Sequence, residues 1–415
     1  MYFNIERARK LMDKFGVDAL IASTPENITY LTDTVSWAPK VYSYSVDMFA
    51  IYIRDERVEP AMIVPSQEMT YVSWQESWVK DYYTYGGKSA LIQKPDHIND
   101  INEMQENVYL SMQNNDLKRS KGSGEALVKA IKDKGLSNSR IALDEDKITN
   151  NVMKQITEAL PNASFINSSV LFKLIRTVKT KDEIDAMRSA ATLNEKACNV
   201  ACESIKVDMT EIDISRIFAE EVSKGLGKWL WFHFGSGRRS IGIFPPTNKK
   251  ITKGEMWKFD AGISLNNYQA DTGWGGIIGE PNKDQLNIWH ATLAGFNAAL
   301  SIIKSGILPS EIQNAMLNGT KDNGLPEHCG TFAGHAIGLE MRELPYVLGN
   351  KSPIDDVYLP DNTDIPLEEG TVLCIENPCQ VLGLGGTQIE KTIIVTKNGY
   401  EPLVKQERKL WIVDS

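Results

Sequence analysis

MWKFDAGISLNNYQADTG, residues 256–273, is the stretch that decides how this chain is read. Two strand-like apolar runs flank a turn around Leu265-Asn266-Asn267. Each run carries one aspartate, Asp260 in FDAG and Asp271 in QADTG. Side chains alternate faces along a strand. A hairpin centred between Leu265 and Asn266 predicts Asp260 directly opposite Asp271, with Cβ atoms about 4.5–5.5 Å apart. Two bare carboxylates at that spacing repel, whereas a shared cation makes the pair favourable.

Outward from the hairpin, three more residues of the same kind follow. TVLCIENP (371–378) and TQIEKTIIVT (387–396) read as a second strand pair carrying Glu376 and Glu390. His335 lies in AGHAIG (333–338), where glycines let the backbone approach closely. Four carboxylates and one imidazole in apolar or glycine-bounded contexts point to one site. Two divalent ions set four positive charges against four negative ones. Oxygen-rich ligands with one histidine suit Mn²⁺ first, with Co²⁺, Fe²⁺ or Zn²⁺ as alternatives.

The order D…D…H…E…E, with FDAG, YQAD, GHAIGLEMRELP, IENP and IEKTIIVT, resembles the metallopeptidase family of aminopeptidase P, prolidase and methionine aminopeptidase. That family also contains creatinase. LIRTVKTKDEIDAMRSAA (174–191) resembles the helix that opens its catalytic domain, and GVDALIASTPENITYLTD (16–33) resembles its N-terminal domain. The resemblance implies an α/β N-terminal domain, residues 1–168, followed by an α+β pita-bread catalytic domain, residues 169–415. It implies two metal ions: Asp260 chelates one, Asp271 and Glu390 bridge both, and His335 and Glu376 bind the second. A hydroxide between the ions is the implied nucleophile. Glu376, as proton shuttle, and His335 are the catalytic candidates. A homodimer is the implied assembly.

Around this ligand set the sequence departs from the proline peptidases. In GSGRRSIGIFPPTNKK (235–250), Phe244 stands where those enzymes carry a histidine. Arg342 stands where a second histidine follows the metal histidine, and Gln388 where an arginine holds a substrate carboxylate. Gly273 and Trp274 follow the second aspartate in place of a Thr-Arg pair. Arg342, Arg238 and Arg239 are candidates for binding an anionic group, since a guanidinium forks onto a carboxylate. Against this, Arg238 and Arg239 can form a solvated loop pair, and Glu343 can neutralise Arg342. KWLWFHFGSG (228–237) offers an aromatic wall with Trp274, and His233 alternates within it. Core packing is the plainer account of those aromatics; a pocket for a small cation is the sharper one.

At 415 residues the chain has room for two cores. Net charge is −9 with no basic stripe, which argues against a nucleic-acid partner. No apolar run reaches the length of a membrane span. Five cysteines without framework spacing fit a reducing cytoplasm. Residues 343–369, rich in Pro, Asp and Asn, read as a long insertion that acts as a lid. The expected function is cleavage of a C–N bond in a dipeptide or other small molecule, nominally as an Xaa-Pro dipeptidase or aminopeptidase. The alternative is a specialised non-peptidase on the same scaffold, a hydrolase or lyase acting on a small zwitterion such as ectoine, a creatine-like compound or a dimethylsulfoniopropionate-like one. A non-catalytic binding protein is the third reading, and the intact ligand set argues against it.

Overall fold

The computed structural model describes residues 1–35, 38–42, 46–87, 102–106, 119–330, 333–345, 358 and 364–414. The described chain divides into two compact units, Met1–Ile175 and Arg176–Ser415. No described helix is long and apolar enough to cross a membrane.

The first unit is built on a seven-stranded mixed sheet. Its strands are β1 (Ala19–Ala22), β2 (Phe49–Ile53), β3 (Ala61–Pro65), β4 (Asp81–Tyr85), β5 (Arg119–Ser120), β6 (Arg140–Leu143) and β7 (Ser164–Asn167), in the spatial order β5-β4-β3-β2-β1-β6-β7. β2 runs antiparallel to both β1 and β3, and the other pairs are parallel. Strands buried on both faces read as continuous apolar runs, as ALIA and FAIYI do here. The helix Ile5–Phe15 starts where Asn4 accepts from the Arg7 amide and stops at Gly16, whose φ of 63° only a glycine adopts cheaply. Its buried residues Ala8 and Met12 are four apart on one face.

The second unit pairs two four-stranded sheets. The first contains β8 (Lys228–Ser236), β9 (Met256–Leu265), β10 (Tyr268–Ile278) and β15 (Trp411–Val413), ordered β15-β10-β9-β8. The second contains β11 (Gly334–Ala336), β12 (Val372–Val381), β13 (Gly385–Thr396) and β14 (Gly399–Pro402), in that order. The helix Lys181–Glu203 opens the unit through a capping box of Thr180 and Glu183. It ties to β9 where Asn194 Nδ2 donates to Ala261 O at 2.9 Å.

The β9–β10 turn corrects the expected register. Asn266 and Asn267 both have positive φ, 50° and 67°, so the loop is a two-residue turn whose twist matches the strands. Leu265 therefore pairs with Tyr268, Asp260 with Gly273, and Asp271 with Gly262. The aspartates are diagonal rather than opposed. Because the slip is by two residues and strand side chains have period two, both stay on one face. The second pair is as expected: Glu376 is directly opposite Glu390.

Candidate metal centre

The strand registers assign one face of the first sheet three cross-strand rows: Trp231–Gly262–Asp271, His233–Asp260–Gly273 and Gly235–Lys258–Gly275. The facing side of the second sheet carries His335–Cys374–Thr392, Glu376–Glu390 and Pro378–Gln388. Thr392 Oγ1 donates to Asp271 O at 3.2 Å, which ties the two sheets together. Gly273 permits this approach: a Cβ there would lie 2.4 Å from Gln388 Nε2 and 2.8 Å from Glu390 Oε2.

All five expected ligands converge. His335 Nε2 lies 3.4 Å from Asp271 Oδ2 and 3.9 Å from Glu376 Oε1. Donor atoms of Asp260, Glu376 and Glu390 lie within 4.8 Å of one another, as do those of Asp271, His335 and Cys374. His335 Nδ1 is 3.0 Å from Ala336 O, which can only accept. The ring proton therefore sits on Nδ1, and the Nε2 lone pair faces the carboxylates, the arrangement a metal-binding histidine needs. Burial pushes the imidazole pKa down, so the contacts to Asp271 and Glu376 join a neutral ring to acids.

The carboxylates are strained electrostatically. Burial, followed by the Asp260 charge, pushes Asp271 well above the usual range. Burial, then Asp271, Glu376 and Asp260, does the same to Glu390. Burial and the two aspartates raise Glu376 to about 8, while His335 and Arg342 oppose the rise. Asp271 Oδ1 and Glu390 Oε1 are buried without a hydrogen-bond partner among the described residues. Orphaned acceptors of this kind are rare and call for a ligand. An oxygen-rich set with one neutral imidazole fits divalent metal ions.

Some expected residues belong here and others do not. His233 is half-buried directly opposite Asp260, on the site face. Arg342 is exposed, and its charge acts on Asp271, Glu376 and His335. Glu343 does not neutralise it. That buried carboxylate is held at 2.5 Å by both Arg176 and Lys179, and Glu343 Oε1 also accepts from the Leu339 amide at 3.0 Å. The two cations hold its pKa down at about 2 against burial. Glu343 thus fastens the loop that follows His335.

Arg239, a candidate for an anionic group, is engaged within its own loop, over the Phe244 ring, and bonds the fully buried Glu211 at 3.1 Å. Phe244 is exposed, with its ring over Gly242 and under Arg239. Arg238 is exposed beside them. Trp274 is on the opposite face: its Nε1 donates to Lys409 O at 2.7 Å, and Arg408 covers its ring. Phe232, Phe234, Trp257 and Phe259 stack with one another behind the sheet, so this part of the expected aromatic wall is core. Most of the proposed lid lies outside the described residues.

Three further neighbours complete the site: Cys374 and Lys258 were not expected, and Trp231 was expected only as part of the aromatic wall. Trp231 Nε1 donates to Asp260 Oδ1 at 2.6 Å, and its ring fills the space over Gly262. Cys374 lies opposite His335. Lys258, two residues before Asp260, is buried on the same face. Alternation from Asp260 and Glu376 was the signal for Lys258 and Cys374; Trp231 required the β8 register.

Metallopeptidase family M24 matches residues 185–397, and the Creatinase/Prolidase N-terminal domain matches residues 4–178. The chain is similar to an Xaa-Pro dipeptidase of Pyrococcus furiosus, at 28% identity over 245 residues, 58% of this chain and 66% of that relative, so the match spans slightly under two thirds of its length. An uncharacterized peptidase of Staphylococcus aureus is 26% identical over 274 residues, 65% of this chain and 74% of the relative. Among solved structures, an X-Pro aminopeptidase from Thermotoga maritima aligns with a TM-score of 0.74 at 20% identity, covering 97% of this chain and all of the other. The prolidase from Pyrococcus horikoshii aligns at 0.73 and 20% identity, covering 98% of this chain and 99% of the other. At such identity these structures establish the fold: a pita-bread domain behind an α/β N-terminal domain. Fold, donor set and family match together define a metal-dependent hydrolase; the chain belongs to metallopeptidase family M24.

Proposed function

We propose that this protein uses two divalent ions, Mn²⁺ first, to hydrolyse a C–N bond in a small zwitterionic or dipeptide substrate. One observation carries the reading: two buried carboxylate oxygens, Asp271 Oδ1 and Glu390 Oε1, lack partners at the point where five metal-type ligands converge. Asp260, Asp271, His335, Glu376 and Glu390 would hold the ions. When bound, the ions supply Lewis-acid polarisation of the scissile group and an activated water. Glu376, beside His335 and directly opposite Glu390, is the group assigned to take and return a proton. Arg342, exposed yet within the field of the ligands, orients the anionic end of the substrate. His233 lines the substrate side next to Asp260.

A specialised non-peptidase is the second reading, and Gln388 favours it. Its amide donates to Glu390 Oε2 at 3.1 Å and Glu376 Oε2 at 3.4 Å, so it is engaged with the ligands rather than free for a carboxylate. All five cysteines are free, which supports a reducing cytoplasm, and the family resemblance supports a homodimer.

The test is a metal-loaded enzyme against Xaa-Pro dipeptides, longer Xaa-Pro peptides and small zwitterions, read by mass spectrometry with metal counted in parallel. Hydrolysis of one class, lost in Asp271→Asn together with metal, supports the proposal. Full turnover in exhaustively demetallated protein would sink it. Brisk turnover of all ordinary Xaa-Pro dipeptides would leave an unspecialised prolidase.

A further inference from the structure

Residues 403–410, which join β14 to β15, carry the buried Arg408 to the side of the two sheets away from the ligands. β14 pairs with β13 only over Ile393–Thr396, and β15 with β10 only over Gly276–Ile278. Where those partners stop, the strand edges need other donors. Leu403 N takes Thr392 O at 3.0 Å. The next carbonyl on that edge of β13, Glu390 O, accepts from Arg408 Nε at 2.7 Å. Arg408 Nη2 donates to Thr272 Oγ1 of β10 at 2.8 Å, and the guanidinium lies 4.5 Å from the centroid of the Trp274 ring. Glu195, on the helix Lys181–Glu203, balances the charge, accepting from Nη1 at 3.1 Å, from Nη2, and from Thr272 Oγ1 at 3.0 Å. One guanidinium thus joins the backbone of Glu390 on one sheet to the neighbour of Asp271 on the other. Glu390 and Asp271 are the two acids with a buried oxygen that lacks a hydrogen-bond partner among the described residues.

We propose that Arg408 is a positioning residue for the metal centre: by holding Glu390 O and Thr272 Oγ1 on one rigid fork, it sets the spacing of the Glu390 and Asp271 carboxylates across the two sheets. The inference rests on the metal reading above. A planar guanidinium holds several acceptors at fixed angles, which the point charge of a lysine does not. Arg408 acts through the ligands, from the face they turn away from, and a spacing error there is felt as weaker metal binding.

The experiment titrates MnCl₂ into chelator-stripped, full-length protein by calorimetry, and measures melting of the metal-free form. Arg408→Lys keeps a cation for Glu195 but loses the fork. It should weaken Mn²⁺ binding by about 10–100-fold, the usual effect of removing a support behind a metal ligand. Its melting temperature should fall less than that of Arg408→Met, which leaves Glu195 buried without its partner. Thr272→Val deletes the hydroxyl and should also weaken Mn²⁺ binding. Both changes break one link, so the double variant should lose less affinity than the product of the two single losses. A role confined to folding predicts the reverse: melting falls, and the folded protein binds Mn²⁺ as the wild type does. Unchanged affinity in both single variants, or fully multiplicative losses, overturns the proposal; Thr272→Val decides alone if Arg408→Lys does not fold. No Mn²⁺ uptake by the wild type would sink the metal reading and this inference with it, whereas wild-type uptake with unchanged variants sinks this inference alone.

Discussion

The two ligand-bearing hairpins solve the same electrostatic problem differently. In β9–β10 each aspartate faces a glycine, and the two acids are diagonal. The space this leaves is filled from elsewhere: Trp231 covers Gly262 and bonds Asp260, and Gln388 covers Gly273. In β12–β13 the two glutamates are directly opposed and both buried. Like charges directly opposed destabilise a sheet. Gln388 is a neutral donor that bridges them. The first hairpin gives Asp260 an indole donor and leaves Asp271 raised, whereas both acids of the second are raised, so the second depends more heavily on protons or cations.

Removing one glutamate should break this contrast most visibly. Glu390→Gln is expected to abolish metal uptake and turnover, yet raise the melting temperature of the metal-free protein, because one of two opposed charges is gone. Asp260→Asn should also lose turnover with a smaller rise in metal-free melting, because relief of its repulsion on the other acids is offset by a weaker bond from Trp231. Equal melting shifts in the two variants would show the hairpins to be equivalent.

Next in size is the support behind His335. Glu343→Gln leaves Arg176 and Lys179 buried with less compensation, a change of the kind that costs about 3–5 kcal/mol. Urea unfolding of metal-free protein measures it. A loss below about 1 kcal/mol, the range of surface pairs, would mean that the His335 loop does not depend on this cluster.

The pH dependence of metal-free stability follows from the raised carboxyls. Asp271, Glu376 and Glu390 hold protons in the folded state that the unfolded chain has already released. Their contribution is full below the ordinary carboxylate range and is lost as pH rises through the value near 8 for Glu376. His335, lowered from 6.5, opposes this as one group against three. Melting of demetallated protein should fall between pH 5 and 8, a window set by those shifts, and saturating Mn²⁺ should flatten the slope. A rise over that interval would contradict the second hairpin's need for protons or cations.

The smallest effect sharpens the first hairpin. Trp231→Phe removes the indole donor to Asp260 but keeps an aromatic ring over Gly262. Loss of such a supporting hydrogen bond typically weakens a metal site by about 10–100-fold, and the low end is expected because four other ligands remain. Calorimetric affinity that is unchanged would make Trp231 a packing residue only.

The sequence by itself marked the five candidate ligands, since an acid inside an apolar strand is expensive and five such residues in this order have few other uses. It also determined which faces they share, because alternation survives a two-residue error in the turn. The strands ALIA, FAIYI and AMIVP and the cap at Gly16 were legible for the same local reasons. β4, DYYTY, is not legible in this way, because its alternating tyrosines carry no sharp apolar signal. Only the tertiary structure decided which charges meet. Arg239 and Trp274 looked like site residues from their neighbours in sequence, but Arg239 turns to Glu211, more than twenty positions away, and Trp274 turns to the backbone near the C-terminus. Glu343 could as well have paired with Arg342 beside it; Arg176 and Lys179 claimed it instead. The physical reason is that strand alternation and turn chemistry act within a few residues, whereas ion pairing and the approach of two sheets depend on partners brought together only when the chain is folded.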